Sequence, residues 1–208
     1  MTEPEEVRPG RPAATTAHAL AAVAQRLFLE TGFDGTSVDD IARAAGIGRR
    51  TFFRYFATKA DVLFLEAPEE LRRFRVALDD ADPDLPGRAA IARAVHEALR
   101  YPPDDEEWAL QRAQVVRQVP ALLAHVYVVV LTQWQQTARD HVLTRHPDRE
   151  GFARATGHAV PAAIVAAHDQ WLAHPGTTLA AALAEMLDLM LPPDPGPLPG
   201  HDPARAHR

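Results

Sequence analysis

Apolar positions recur at spacings of three and four along almost the whole chain, a pattern of amphipathic helices rather than strands. Leu20, Val23, Ala24, Leu27 and Phe28 form the first such stripe and predict a helix over 14–31, with Gly32 suited to its C-cap. Ser37 and Asp40 have capping-box spacing and open a second helix over 38–45, with Ile41 and Ala42 inward. Gly46 ends that helix, and Gly48 can N-cap a short third one over 49–56. Thr58 and Asp61 predict another capped start, for a long helix running to residue 80 that Pro68 should kink or split. Further helices are expected near 87–101, 104–118, 120–145, 149–173 and 177–191. The breakers between them are Pro83/Pro86/Gly87, Pro102/Pro103, Pro120, His146-Pro147 and Pro175-Gly176. The run 126–131, VYVVVL, is β-like in composition, but its flanks are helix formers and keep it helical. Pro161 falls inside a helical pattern and should kink or delay that helix. The expected fold is all-α, with about nine helices, and no repeat is visible.

The third helix carries the chemistry. At about 100° per residue, Phe52, Phe53 and Phe56 fall in one arc, and Arg50, Thr51, Arg54 and Tyr55 spread over the opposite one. The three aromatics are expected to anchor the helix to Leu27, Phe28, Val38 and Ile41, leaving the polar face outward. Two short helices joined by a tight turn, the second with a free basic face, form a helix-turn-helix. Arginine can donate two hydrogen bonds to guanine, and threonine can meet a thymine methyl or a phosphate. Tyr55 and Lys59 suit phosphate contacts, and Lys59 lies in the first turn of the next helix, where backbone amides also bind anions. Residues 1–13 read as a flexible arm, in which Arg8 and Arg11 either enter a minor groove or are simply solvated.

A net charge of −6 argues against nucleic acid until it is divided along the chain. Residues 8–60 carry eight basic and four acidic side chains, a net +4, whereas residues 61–208 carry 14 basic and 21 acidic, a net −7. A basic head on an acidic body fits a DNA-reading module joined to a sensor. The absence of cysteine excludes disulfides and thiolate chemistry, and the ten histidines show no HxxxH pair with an acidic partner, so no metal and no cofactor is expected. No apolar run is long enough for a membrane span and no leader-like segment opens the chain, so a cytoplasmic location without membrane contact is the expectation. No nucleophile elbow, P-loop or dinucleotide turn supports an enzyme. Residues 192–208 are proline-rich and read as a disordered tail.

Residues 14–65 resemble the N-terminal domain of TetR-family transcriptional repressors. Gly32-Phe33, Thr36-Ser37, Ile41-Ala42, Ala45-Gly46, Thr51, Phe56 and Lys59 carry the likeness. It implies that Thr36 and Ser37 lie near phosphates, that Arg49, Arg50, Thr51 and Tyr55 contact DNA from the recognition helix, and that Lys59 meets a phosphate; Arg54 joins them on the polar face. Two positions depart from the family pattern: Phe53 stands where tyrosine is usual, and Arg50 where a small residue is frequent. The wording GRRTFFRYF is most similar to an actinobacterial subgroup that includes the mycofactocin-system regulator, for which acyl-CoA thioesters are suggested effectors. The implied organisation is a head over 14–60 and a ligand-binding and dimerisation body over 61–191.

Within the body, Trp108, Arg112, Tyr127, Leu131, Trp134 and Trp171 are candidates to line a pocket for a small-molecule effector, an acyl-CoA or another hydrophobic ligand; ordinary core packing is the alternative. The last two helices have apolar faces wider than one intramolecular contact needs, and the resemblance implies that this pair meets its symmetry mate. Ile164, His168, Trp171, Leu183, Met186, Leu187 and Met190 are the candidate dimer residues. The reading is thus a homodimeric, ligand-released repressor on a palindromic double-stranded operator. The alternative is a helical small-molecule-binding or interaction protein whose head serves protein contacts.

Overall fold

The computed structural model describes residues 16–195, which divide into two compact units, one ending at Leu65 and one beginning at Glu66. The arm arginines Arg8 and Arg11 lie outside the described residues. All regular structure among them is helical. Counting the unbroken stretch 120–145 once, there are nine helices and one 3₁₀ turn.

The head comprises α1 (Ala17–Thr31), α2 (Val38–Ala44), α3 (Arg49–Tyr55) and a 3₁₀ turn (Asp61–Phe64). Thr16 rather than residue 14 opens α1, its hydroxyl accepting from the Ala19 amide at 3.1 Å. Ser37 and Asp40 close a full capping box on α2, each side chain accepting from the other's backbone amide. At its other end the Gly46 amide donates to Arg43 O at 3.1 Å and the Ile47 amide to Ala42 O at 2.9 Å. This is a Schellman closure, and it requires the left-handed backbone (φ 65°) that glycine adopts at no steric cost. It turns the chain sharply enough for α3 to start at once. Leu20, Ala24, Phe28, Ile41, Phe52, Phe56, Val62 and Leu63 form the head's core.

The expected long helix from residue 58 is not continuous. Asp61 does accept from the Thr58 amide at 2.7 Å, but it opens only the 3₁₀ turn. The next helix, α4 (Ala67–Asp79), begins afresh with Pro68 in its first turn, where a missing N–H leaves no hydrogen bond unmade. Because Val62 and Leu63 are buried in the head, the boundary falls five residues later than the expected one after residue 60.

The body continues with α5 (Gly87–Ala98), α6 (Pro103–Gln118), α7 (Pro120–His125), α8 (Leu131–Arg145), α9 (Glu150–Ala173) and α10 (Leu179–Met190). A break at Val119, enforced by Pro120, bends the chain by 104° between α6 and the helix that follows. Between α7 and α8 the β-like run forms a π-helical turn, Val126–Val130, which leaves Tyr127, Val128 and Val129 exposed. Pro161 does not delay α9, which runs unbroken past it. Gly157 explains how closely α8 and α9 pack: a Cβ there would lie 2.9 Å from the Gln135 carbonyl oxygen and 3.1 Å from the Arg139 Cβ. The core is built from Phe74, Ile91, Val95, Trp134, Val160, Leu183 and Leu187, with Phe74 and Trp134 stacked at 4.7 Å. Residues 192–195 belong to this unit rather than to a free tail. Asp194 Oδ1 accepts from the Arg88 amide at 2.9 Å and so caps α5, whose own N-cap is Pro86. Among the described residues no single helix is long and apolar enough to cross a membrane.

Candidate functional site

The outer surface of α3 presents Arg49, Arg50, Phe53, Arg54 and Tyr55, all exposed, with Thr51 partly so. Phe52 and Phe56 are buried. Phe53 is not: it is 43% exposed, which corrects the expectation that all three phenylalanines anchor the helix. Phe52 and Phe56, four residues apart, define the buried line. Phe53 lies at the margin of that arc, and its ring meets Phe52 edge-on at 5.5 Å while its outer face stays in solvent.

The basic side chains differ in how they are held. The Arg49 guanidinium lies 5.3 Å over the Phe53 ring and donates to Asp39 on α2 at 2.9 Å, tying the two helices at the interface. Arg54 lies over the Tyr55 ring at 5.2 Å. Arg50 has no ion-pair partner among the described residues. Ser37 is exposed at the N-terminus of α2, beside Asp40. Hydrogen bonds from Ser37, then the Arg43 guanidinium, hold the Asp40 carboxyl below the usual carboxylate range.

Two expected phosphate ligands are placed differently. Thr36 is 2% exposed, and its hydroxyl lies 2.7 Å from that of Thr31 and 2.8 Å from the Gly32 carbonyl, inside the α1–α2 turn. Lys59 Nζ donates to the carbonyls of Phe33 (2.6 Å) and Thr36 (2.9 Å) and lies 4.4 Å over the Phe33 ring. Both residues therefore hold the turn that presents Ser37. Lys59→Met should strand the Thr36 carbonyl, leave the Phe33 carbonyl only its 3.4 Å bond from the Thr36 amide, and destabilise the head by about 1–3 kcal/mol, read as an earlier loss of DNA binding in a urea titration.

In the body, the six candidate pocket residues differ in exposure. Leu131, Trp134 and Trp171 are core, and Tyr127 is on the surface. Trp108 and Arg112 do come together, in a polar cluster that sequence reasoning met only in part. Arg112 donates to Glu70 Oε1 at 2.9 Å and to the Tyr101 hydroxyl at 2.7 Å, and the Tyr101 hydroxyl donates to the same carboxylate at 2.5 Å. The Trp108 ring lies 5.3 Å from the guanidinium. Burial pushes the Glu70 carboxyl up, and Arg112 and Tyr101 return it below its ordinary value. Burial likewise raises the Tyr101 hydroxyl, which stays protonated. The signal for Glu70 was available: a carboxylate on the inward stripe of α4, flanked by Leu71 and four residues before Phe74. Beside the cluster, a groove of about 380 Å³ is lined by Arg93, His96, Tyr101, Thr178 and Leu183 among others; of these five, Leu183 alone was expected at a site, as a dimer contact.

Of the candidate dimer residues, Ile164, Trp171, Leu183 and Leu187 are buried within the single chain, because α9 and α10 use their broad apolar faces on each other and on the core. Met190 is exposed, and Met186 and His168 are partly buried. The His168 ring nitrogen Nδ1 lies 2.8 Å from the Ile164 carbonyl. Burial lowers the imidazoles of His96, His141 and His168 below the ordinary value. The unfolded chain therefore binds more protons than the folded one below about pH 6.5, and stability present above that pH is lost as pH falls. Thermal melts should shift down between about pH 7.5 and 5.5, and His168→Gln should flatten that slope. An unchanged or rising midpoint on acidification would contradict the placement of these rings.

Comparison with known proteins covers both units. The family described as bacterial regulatory proteins, tetR family, matches residues 20–66, and the MftR C-terminal domain matches residues 85–195. A mycofactocin biosynthesis transcriptional regulator, MftR, of Mycobacterium tuberculosis is 31% identical over 192 residues, covering 90% of this chain and 95% of that one. The HTH-type transcriptional regulator EthR of Mycolicibacterium smegmatis is 33% identical over 109 residues, 43% of this chain and 50% of its own. Among solved structures, the fatty acid degradation regulator FadR of Bacillus halodurans has the same fold at a TM-score of 0.58 and 16% identity, covering 83% of this chain and 96% of that one. A TetR-family regulator of Bordetella parapertussis follows at 0.55 and 19%, covering 86% and 95%. An N-terminal helix-turn-helix with an outward basic face and a helical body of matching type lead to one conclusion: the chain belongs to the tetR family of bacterial regulatory proteins and is a DNA-binding transcriptional regulator.

Proposed function

We propose that the protein is a repressor that holds a palindromic operator as a homodimer and releases it on binding a small effector. The observation that carries this reading is the outer face of α3, where Arg50 and Arg54 stand in solvent beside Thr51 and Tyr55. Arg50 and Thr51 read base edges from the N-terminal half of the helix, while Arg54, Tyr55 and Ser37 meet the backbone. Arg49 adds positive charge once Asp39 yields it. Two heads on successive helical turns require a dimer, and the outward faces of α9 and α10, with Met186, Leu189 and Met190, are its supporting surface.

The effector is a largely apolar molecule with one polar end, for which an acyl-CoA thioester is one case. Arg112, backed by Trp108 and Tyr101, supplies a buried group for that end. Release follows if the ligand binds the DNA-incompetent arrangement more tightly; equal affinity for both would shift nothing.

Binding to the DNA upstream of the protein's own gene, measured across a salt series, tests the reading. With Arg54 neutralising one phosphate charge per head, raising salt from about 50 to 200 mM should weaken a dimer about tenfold. A flat response, or no preference over random DNA, would contradict it. Arg50→Ala should relax discrimination at one position per half-site by about 1–3 kcal/mol.

A further inference from the structure

We infer that Phe53 reads a thymine methyl group, and so sets a sequence preference that the arginines of α3 do not. The inference rests on α3 being the DNA-reading helix and adds a residue and a chemistry to it. A phenylalanine ring 43% in solvent on a short helix needs a reason, because the adjacent Phe52 and the later Phe56 already fill the core. The ring is not loose. Phe52 supports its edge at 5.5 Å and 87°, and the Arg49 guanidinium covers one side at 5.3 Å. Arg49 is in turn held by Asp39 at 2.9 Å. A guanidinium committed to a carboxylate and a ring is less available to a guanine, so at this flank of α3 the group presented is apolar.

The chemistry of phenylalanine narrows the target. It has no donor for a phosphate oxygen and no acceptor for a base amine. On the major-groove edges of the four base pairs, the apolar group is the C5 methyl of thymine. Phe53 is one residue from Arg54 and three from Arg50, so a helix that seats those arginines in the groove carries the ring to the base edges as well. The position is thus a hydrophobic reader beside a positively charged one.

The experiment uses the full chain. Binding sites are selected from random duplexes, and each thymine of the selected half-site is then replaced by deoxyuridine, which removes the methyl and keeps every hydrogen-bonding group. Wild type should lose about fourfold in affinity at one thymine per half-site, the worth of one buried methyl. Phe53→Ala should bind the parent site more weakly and show no loss at that thymine. Its thermal midpoint should stay within a few degrees of wild type, since the ring is outside the core. Two outcomes overturn the inference: Phe53→Ala keeping the full deoxyuridine penalty, or wild type tolerating deoxyuridine at every position, which would place the ring on deoxyribose. The DNA-reading role of α3 is scored separately, by whether selection yields a consensus and Arg50→Ala degrades it.

Discussion

Arg112→Met should cost the body about 3–5 kcal/mol, because it leaves the Glu70 carboxylate buried without its cation. The side chains of the pair are only 12% and 7% exposed, so water cannot take over the lost partner. Glu70→Leu alone should cost a similar amount by stranding the guanidinium. The double variant Glu70→Leu/Arg112→Met should recover most of the loss, since an apolar pair of similar volume owes no desolvation. Tyr101→Phe, which removes one hydroxyl from the cluster, should cost about 1–3 kcal/mol. Urea titrations followed by tryptophan fluorescence check all four. A loss below about 1 kcal/mol for Arg112→Met would show that the pair is solvated. Acid has a defined direction here. The Glu70 carboxyl lies below its ordinary value, so the contribution of the pair is present above the unfolded carboxyl's pKa of about 4.3 and is lost as pH falls through the folded value.

The double variant also separates stability from function. A buried ion pair that an apolar pair could replace contributes little to folding, so its use in effector recognition is an independent question. On the reading above, the double variant folds, binds operator DNA and no longer responds to the effector.

Much of this architecture was legible because local rules and the global fold agree. The capping box at Ser37 and Asp40, the glycine closure at Gly46 and the polar face of α3 are each set by residues close in sequence. The body was legible as helices but not as a site. Glu70, Tyr101 and Arg112 are separated by 31 and 11 residues, and no local pattern says that two helices and the α5–α6 connection will bring them together. The same limit applies to α9 and α10. A wide apolar face predicts burial without naming the partner, and here the partner of Leu183 and Leu187 is the chain itself. Thr36 and Lys59 show a subtler limit. Their residue types suit phosphate, yet the turn between α1 and α2 has carbonyls to satisfy, and the side chains nearest in space satisfy them. At Phe53 the helical wheel erred by a fraction of a turn, enough to move an aromatic from the core to the reading surface.

That small angular difference predicts opposite behaviour for adjacent residues. Phe52 is fully buried, and Phe52→Ala should remove about 3–5 kcal/mol of packing from the head. A unit as small as the head holds about 3–7 kcal/mol in total, so the variant leaves it largely unfolded or close to it. The chain reports this cleanly, because its three tryptophans, Trp108, Trp134 and Trp171, all lie in the body. Phe52→Ala should therefore lose DNA binding entirely while the tryptophan-monitored transition stays near that of wild type and the helical signal falls only by the head's share. Phe53→Ala should keep both the helical signal and the fold and change which sites are bound. If the two substitutions had equal effects on stability, Phe53 would belong to the core after all. If Phe52→Ala moved the tryptophan transition as far as Arg112→Met does, head and body would unfold as one cooperative unit.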